Sequence, residues 1–265
     1  MANAAASTDT ILVSKDRGIA IVTLNREDKL NALTKGMWAA LGRVVELLAH
    51  DQSLRCLILR GAGNKAFSPG NDIDEFETER SNIAQARSYG ALMHSTLESI
   101  STCPVPTVAM IHGICVGGGL EIAGSCDIRI CGQSSRFGVP VAKLGLVMAY
   151  PELAGLIRLV GRARALEILL EARIYDSKEA KDMGLVTRVV DDGKVETEVF
   201  KAAQKIADGA PLVHRWHKKF AARLCEPTAL NNDELEEGFT CFGTKDFAVG
   251  RDAFVAKVKP KFKGN

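Results

Sequence analysis

Two short runs of nearly uninterrupted apolar residues, 56–59 and 105–111, limit most strongly what this chain can fold into. Strands of this kind occur where both faces of a sheet are covered, as in α/β proteins. Two β-branched runs, 11–14 and 19–24, are separated by a turn sequence and predict an N-terminal hairpin. Thr34 is a suitable N-cap for a helix with apolar residues at helical spacing. These are Met37, Leu41, Val44, Val45 and Leu48. The sequence therefore predicts an α/β protein.

The C-terminal part of the chain has a different pattern. After Asp191 the strand signals end, and amphipathic helices are predicted, including residues 195–207 and 232–242. We therefore predict a core at residues 1–192 and a helical C-terminal domain at residues 193–265. No repeat or Pro/Ser-rich linker marks this boundary, so it depends on the change of pattern alone.

Composition excludes several classes of protein. The 265 residues, 46% of them hydrophobic, can bury a large core, and a net charge of +2 is too small to favour a nucleic-acid partner. Seven cysteines without a CxxC pair indicate a reducing, cytoplasmic compartment. Residues 1–10 carry no secretory pattern, and the apolar stretch 105–124 is interrupted by His112 and Glu121, so no membrane span is expected.

A glycine-rich turn at residues 116–121, Val-Gly-Gly-Gly-Leu-Glu, follows an apolar strand and leads into a helix. Backbone amides at such a helix start can bind a developing oxyanion, although a plain tight turn has the same pattern. Ile122 and Gly119 stand where a dinucleotide fingerprint needs glycine and a phosphate loop needs lysine, so neither NAD nor ATP is supported. Glu121 is either a catalytic carboxylate or a residue that stabilises the helix N-terminus.

A second turn-forming segment lies at residues 66–74, and we predict a polar loop there. It reads Ala-Phe-Ser-Pro-Gly-Asn-Asp-Ile-Asp and could also present backbone amides. The simpler interpretation is a turn at Pro69 and Gly70, followed by a helix that Asp72 caps.

Taken together, these segments resemble the enoyl-CoA hydratase/isomerase (crotonase) family over almost the whole chain. Residues 25–33 resemble its early CoA-contacting segment, and residues 126–128, 137–140 and 144–145 resemble its central stretch. Residues 253–264 resemble its terminal segment, in which an aromatic residue and a lysine hold the CoA nucleotide of a neighbouring subunit. Phe254 and Lys257 match those two positions.

The resemblance implies a spiral of ββα units, C-terminal helices that organise a homotrimer or a hexamer as a dimer of trimers, and an acyl-CoA thioester substrate. Coenzyme A would be part of the substrate, with no separate cofactor. Asn71 and Gly118 would supply the two backbone donors of an oxyanion hole, and Glu121 would be the acid/base. The residues implied in substrate or CoA binding are Lys29, Leu30, Ser68, Pro69, Gly70, Asp72, Ile73, Gly117, Phe254 and Lys257.

The chain departs from the family at the second glutamate that its hydratases typically use, because Val141 stands there. Hydration needs water activation and proton delivery, which two carboxylates share, and valine can do neither. Tyr150 and Glu152, in a reshaped segment at residues 147–153, are candidate replacements, and Glu152 could instead cap a helix or face solvent.

Other activities therefore stay open at this stage. Double-bond isomerisation needs one base, decarboxylation of a malonyl-type thioester needs mainly the oxyanion hole, and a non-catalytic acyl-CoA binder would need neither carboxylate. No metal site is predicted, because His214 and His217 have no acidic or cysteine partner in their segment. An RNA-binding role is disfavoured by the modest charge.

Overall fold

The computed structural model describes residues 8–265, so residues 1–7, most of the segment predicted to carry no secretory signal, lie outside the described part. The strands are β1 (Ile11–Asp16), β2 (Ile19–Leu24), β3 (Cys56–Gly61), β4 (Ala66–Ser68), β5 (Thr107–Ile111), β6 (Ile114–Val116), β7 (Ile128–Gly132), β8 (Arg136–Gly138), β9 (Tyr175–Asp176) and β10 (Arg188–Val190). None of the helices in residues 8–265 combines the length and apolar character that crossing a membrane requires.

Ten α-helices accompany these strands in the described residues. They are α1 (Lys35–Ala49), α2 (Phe76–Glu79), α3 (Ile83–Ser101), α4 (Gly118–Ser125), α5 (Tyr150–Glu171), α6 (Ser177–Met183), α7 (Val195–Ala207), α8 (Pro211–Arg223), α9 (Asn232–Glu237) and α10 (Lys245–Ala256). Helix α5 is interrupted at Gly161, whose φ of 76° and ψ of 162° are not helical. Short 3-10 helices include Ile73–Glu75, Pro140–Leu144 and Thr240–Gly243.

The strands form two sheets, and within each sheet the strands lie side by side in the order of the sequence. The large sheet has the order β1-β2-β3-β5-β7-β10, and the small sheet has the order β4-β6-β8-β9. Strands β3, β5 and β7 join the large sheet, while β4, β6 and β8, which follow each of them, join the small one, and a helix comes next each time. Neighbouring strands are parallel except in the β1–β2 and β8–β9 pairs. This repetition confirms the predicted spiral of ββα units.

Both faces of the large sheet are covered, which explains its nearly continuous apolar strands. One face belongs to the main core, where α1 places the predicted apolar residues and the fully buried Trp38. Thr34 caps α1 as predicted, accepting a 3.2 Å hydrogen bond from the Met37 amide. On the other face, α7 packs against Ile58, Val108 and Met110 through Val195 and Val199.

Helix α7 has the predicted bounds. It follows the predicted domain boundary at Asp192, but it packs on the large sheet of the core. The helix predicted over residues 232–242 is too long. It ends at Glu237, with Gly238 at the C-cap, and Thr240–Gly243 forms a separate 3-10 turn. Glycine is among the weakest helix formers, which is consistent with the break at this position.

Candidate active site

The glycine-rich turn joins β6 to α4, as the sequence predicts. Gly117 has φ 52° and ψ −126°, a conformation that glycine adopts without steric cost. Its amide donates a 2.9 Å hydrogen bond to the Gly138 carbonyl, so the turn is tied to the end of β8. Helix α4 then begins at Gly118, with Glu121 in its first turn.

The segment at residues 66–74 begins differently from the predicted polar loop. Residues 66–68 are strand β4, buried and paired with β6, because Ala66 and Phe67 enter the core. The buried Ser68 hydroxyl accepts a 3.1 Å bond from the Gly70 amide. Asp72 caps the 3-10 helix Ile73–Glu75 through the Asp74 amide, at 3.1 Å, in agreement with the capping interpretation.

These two segments meet at their glycines. A Cβ atom added at Gly70, which has φ 103°, would lie 3.0 Å from the Gly118 nitrogen. One added at Gly119 would lie 2.2 Å from the Ser68 carbonyl oxygen, closer than real Cβ contacts occur. The backbone of one turn is therefore packed directly on the backbone of the other, and side chains at these positions would separate them.

The same arrangement leaves two backbone N–H groups without acceptors. The Leu33 amide donates to the Gly70 carbonyl at 2.8 Å, and its carbonyl accepts from the Asp72 amide at 2.9 Å, so the Asn71 N–H takes no part in this bridge. The Gly118 N–H is at the first position of α4, where no intrahelical acceptor exists. Neither N–H donates to an acceptor within residues 8–265.

The side chain of Asn71 is held by residues that the sequence interpretation missed. Its Oδ1 accepts a 2.7 Å hydrogen bond from the Trp38 indole Nε1, and Trp38 is fully buried in α1. Tyr89 on α3, also fully buried, approaches the same oxygen with its hydroxyl at 3.5 Å. A buried Trp and Tyr usually need a partner for their polar atoms, and this rule is the only sequence signal that could have pointed to them.

Glu121 has the most perturbed carboxyl group near these turns. Its Oε2 atom is shielded from solvent and has no hydrogen-bond partner within the described residues. Burial first, and then the negative charge of Glu152, raise the pKa of Glu121 from 4.5 to about 8, while the positive charge of Arg80 acts in the opposite direction. A carboxylic acid that keeps its proton near neutral pH is suited to general acid/base chemistry.

The raised pKa of Glu121 predicts that Glu121→Gln stabilises the protein in a pH-dependent way. Below about pH 4.5 the Glu121 carboxyl group is protonated in both the folded and the unfolded state. Between pH 4.5 and about 8 it ionises only in the unfolded state, and this preference lowers the free energy of unfolding. Since one pKa unit is about 1.4 kcal/mol, a gain on the order of a few kcal/mol is expected above pH 8.

The measurement for this prediction is the Tm of both proteins, at one concentration, from pH 4 to pH 9. The exposed Glu46 offers a control, Glu46→Gln, for the loss of a carboxyl group. A Tm difference between the Glu121→Gln variant and the wild type that stays constant over this range would contradict the buried, protonated state of Glu121.

Glu152 lies in the first turn of α5, and both of its oxygens accept hydrogen bonds. His94 Nε2 lies 2.8 Å from Oε1, and the Ala149 amide donates to Oε2 at 2.8 Å. The capping interpretation of Glu152 is thus observed, but its side chain is only 11% exposed and its charge acts on Glu121. The structure brings these two carboxyl groups into one region.

Val141 and Tyr150 lie elsewhere in this region. Val141 is in the 3-10 helix Pro140–Leu144 and is partly buried against the main core. That it replaces a second catalytic carboxylate stays a prediction. Tyr150 is at the start of α5 and is 89% exposed. No hydrogen bond of its hydroxyl occurs within the described part of the chain.

The predicted CoA-contacting residues near the N-terminus are close to the second turn. Arg26 Nη1 donates to Asp72 at 2.7 Å, and Lys29 Nζ lies 3.1 Å from the Asp74 carboxylate. Burial alone would raise the pKa of Asp72, but the bonds from Arg26 and the Asp74 amide outweigh it and the pKa is lowered. Leu30 and Ile73 are exposed apolar residues beside these ion pairs.

The C-terminal residues predicted to contact CoA are both at the surface of the single chain. Phe254 is 86% exposed on α10, and Lys257 ends that helix in a left-handed conformation with φ 55°. Their side chains do not contribute to the region around Glu121 in the described structure. This placement is consistent with a role toward another subunit, which stays a prediction.

Two polar residues of this region, His94 and Arg80, were not singled out from the sequence. His94 on α3 meets Glu152 across 58 residues of chain, and the Arg80 guanidinium lies 4.7 Å from the Phe76 ring centroid and 5.0 Å from that of Tyr89. Neither contact has a local sequence signal. In residues 8–265 no three His, Cys, Asp or Glu side chains are grouped as metal ligands would be.

Comparison with known proteins identifies the family of this chain. Residues 14–265 match the enoyl-CoA hydratase/isomerase family. The short-chain-enoyl-CoA hydratase of Clostridium acetobutylicum is 32% identical over 253 residues, 95% of this chain and 96% of that protein. The chain belongs to the enoyl-CoA hydratase/isomerase family.

Solved structures show the same fold. An enoyl-CoA hydratase/carnithine racemase from Magnetospirillum magneticum has a TM-score of 0.96 and 50% identity, covering 98% of this chain and 97% of that one. An enoyl-CoA hydratase from Bacillus anthracis has a TM-score of 0.89 and 30% identity, covering 97% and 100%. The crotonase fold predicted from the sequence is therefore confirmed.

Proposed function

We propose that this protein catalyses the addition of water to an enoyl-CoA thioester through an enolate held by the N–H groups of Asn71 and Gly118. The observation that carries the proposal is the buried, unpartnered Oε2 of Glu121, three residues after Gly118, in a chain of this family. Glu121 serves as one acid/base group and Glu152 as the other.

We assign the role of general acid to Glu121, whose pKa is raised, and the role of general base to Glu152. Glu152, whose negative charge helps to raise the pKa of Glu121, takes a proton from water as the water oxygen bonds to C3. The electrons of the double bond move to the thioester oxygen, which the two N–H groups stabilise. Protonated Glu121 then gives its proton to C2 and the carbonyl re-forms. Proton transfer from Glu152 back to Glu121, directly or through water, restores the starting state.

The two N–H groups are suited to this role because they are backbone groups held by the fold. Preorganised donors stabilise charge that develops only in the transition state, and each is worth roughly a hundred- to thousandfold in rate. The glycine contacts between the two turns and the Trp38–Asn71 bond fix their positions. Such donors do not depend on side-chain identity, which explains why Asn and Gly can both supply them.

We propose further that coenzyme A, as part of the substrate, lies along residues 25–33 and 68–73. Gly117, Ser68, Pro69 and Gly70 would shape the thioester site, while Lys29 offers a cation for the phosphates. Phe254 and Lys257 would reach the nucleotide of a neighbouring subunit, in a trimer or a dimer of trimers built by the C-terminal helices. The unpaired cysteines suit a cytoplasmic location.

Isomerisation is the second candidate, because Glu121 alone could move a proton between C2 and C4 through a dienolate. It is favoured by Val141, which leaves the site one carboxylate short if Glu152 only caps α5. Decarboxylation and acyl-CoA binding without turnover are the remaining alternatives.

The proposed function is tested by supplying the purified protein with crotonyl-CoA and following 3-hydroxybutyryl-CoA by mass spectrometry. We expect hydration at a rate proportional to enzyme. Conversion of a 3-enoyl-CoA without hydration would instead support isomerisation, and release of carbon dioxide from a malonyl-type thioester would support decarboxylation. Binding of CoA thioesters with no turnover of any of them would contradict an enzymatic role.

A further inference from the structure

The contact between His94 and Glu152 involves a residue, His94, to which the family resemblance assigns no catalytic role. The two side chains come from different helices, α3 and α5, and their atoms lie 2.8 Å apart. They are 27% and 11% exposed, so the contact is partly shielded from water. Surface ion pairs are worth little, but a shielded contact between helices fixes the geometry of both side chains.

The chemistry of the pair defines the direction of the bond. A carboxylate is an acceptor only, so His94 Nε2 carries the proton in this contact. The Ala149 amide occupies Oε2 of Glu152, and His94 occupies Oε1, which leaves each oxygen with one remaining acceptor position. Glu152 is thus held in a single orientation and can still accept a proton from water.

Glu152, the proposed second acid/base group, is held by its contacts with His94 and the Ala149 amide. The chain lacks a carboxylate at Val141, and the charge of Glu152 is near enough to Glu121 to act on it. We propose that His94 is a positioning residue for the reaction, because it holds the Glu152 carboxylate ready to activate water in place of a carboxylate at Val141. This inference rests on the proposed function.

The experiment compares two reactions that differ in their need for a second base. Hydration of crotonyl-CoA needs both carboxyl groups, whereas exchange of the α-protons of butyryl-CoA in deuterated water needs only Glu121 and the two N–H groups. We expect Glu152→Gln to lower kcat for hydration by about a hundred- to a thousandfold. His94→Leu should lower it by about ten- to a hundredfold, as for groups that orient catalytic ligands.

Four further results are expected if His94 acts through Glu152. His94→Gln, which keeps an N–H donor near the Nε2 position, restores most of the rate, and KM changes less than kcat. The double variant His94→Leu/Glu152→Gln is no slower than Glu152→Gln alone, because residues that act as a unit are not additive. All of these variants keep α-proton exchange within a few fold of wild type. The exposed His50 provides a control, His50→Gln, with unchanged hydration.

The contradicting results separate this inference from the proposed function. Hydration that His94→Leu leaves unchanged, or losses that add in the double variant, would overturn the positioning role. Wild-type protein that exchanges α-protons but does not hydrate would overturn the proposed hydration, and this inference with it, although the enolate chemistry would then stand. Wild-type protein that does neither would overturn the enolate chemistry as well.

Discussion

Replacing Glu121 by glutamine is expected to lower kcat for hydration of crotonyl-CoA by about a hundred- to ten-thousandfold, the usual contribution of general acid/base catalysis. Glutamine keeps the shape of the side chain but cannot give a proton to C2. Since the group acts in its protonated form, wild-type kcat/KM, which reports the free enzyme, should also fall as pH rises through about 8, the pKa of Glu121. The Glu121→Gln variant should show no such fall of its rate as pH rises through about 8.

Steady-state rates between pH 6 and pH 9.5 provide the measurement, with Glu46→Gln as the control for removing an exposed carboxyl group. The stability prediction makes the result easier to interpret, because the inactive variant should be at least as stable as the wild type. A Glu121→Gln variant with wild-type kcat would remove Glu121 from the reaction. An unfolded variant would contradict the expected gain in stability.

Removing the Gly118 N–H should have an effect of similar size. Proline has no amide hydrogen and is tolerated at the first position of a helix, which is the position of Gly118 in α4. Gly118→Pro is therefore expected to lower kcat about a hundred- to thousandfold, the worth of one oxyanion donor. The loss should appear in kcat as well as in kcat/KM, because the donor acts mainly on the transition state.

The matched control for this prediction is Gly118→Ala, which adds a Cβ atom but keeps the N–H. That Cβ would lie 3.0 Å from a ring carbon of Trp38, a tight contact that Gly118→Pro shares. The ratio of the rates of the two variants removes the effect of the Cβ contact, so it reports the replacement of the N–H group by the proline ring. Equal rates for the Ala and Pro variants would mean that the Gly118 N–H does not stabilise charge in the transition state.

Sequence alone predicted the parts of this fold that depend on local patterns. Thr34 and the apolar spacing after it defined α1, and the same spacing defined α7, because helix caps and periodicity are local properties. Residues 56–59 and 105–111 predicted buried strands, since both faces of the sheet are covered. The short strand β4 was missed because three residues beside a Pro-Gly turn carry no periodicity.

The site was predicted in part for the same reason. The two glycine turns are visible as local sequence, and the structure places them in contact. The bond between His94 and Glu152 joins residues 58 positions apart, and the Trp38–Asn71 bond spans 33 positions. Only the packing of α1, α3 and α5 brings these side chains together. The unpartnered Oε2 of Glu121 likewise follows from burial rather than from its sequence position.

In the proposed mechanism the N–H groups of Asn71 and Gly118 hold the thioester oxygen. A crystal structure with butyryl-CoA bound, a thioester that cannot be hydrated, tests it most directly. We expect the thioester oxygen to lie about 2.7–3.1 Å from both backbone nitrogens, with C2 facing Glu121. A thioester bound with its oxygen away from these two nitrogens would contradict it.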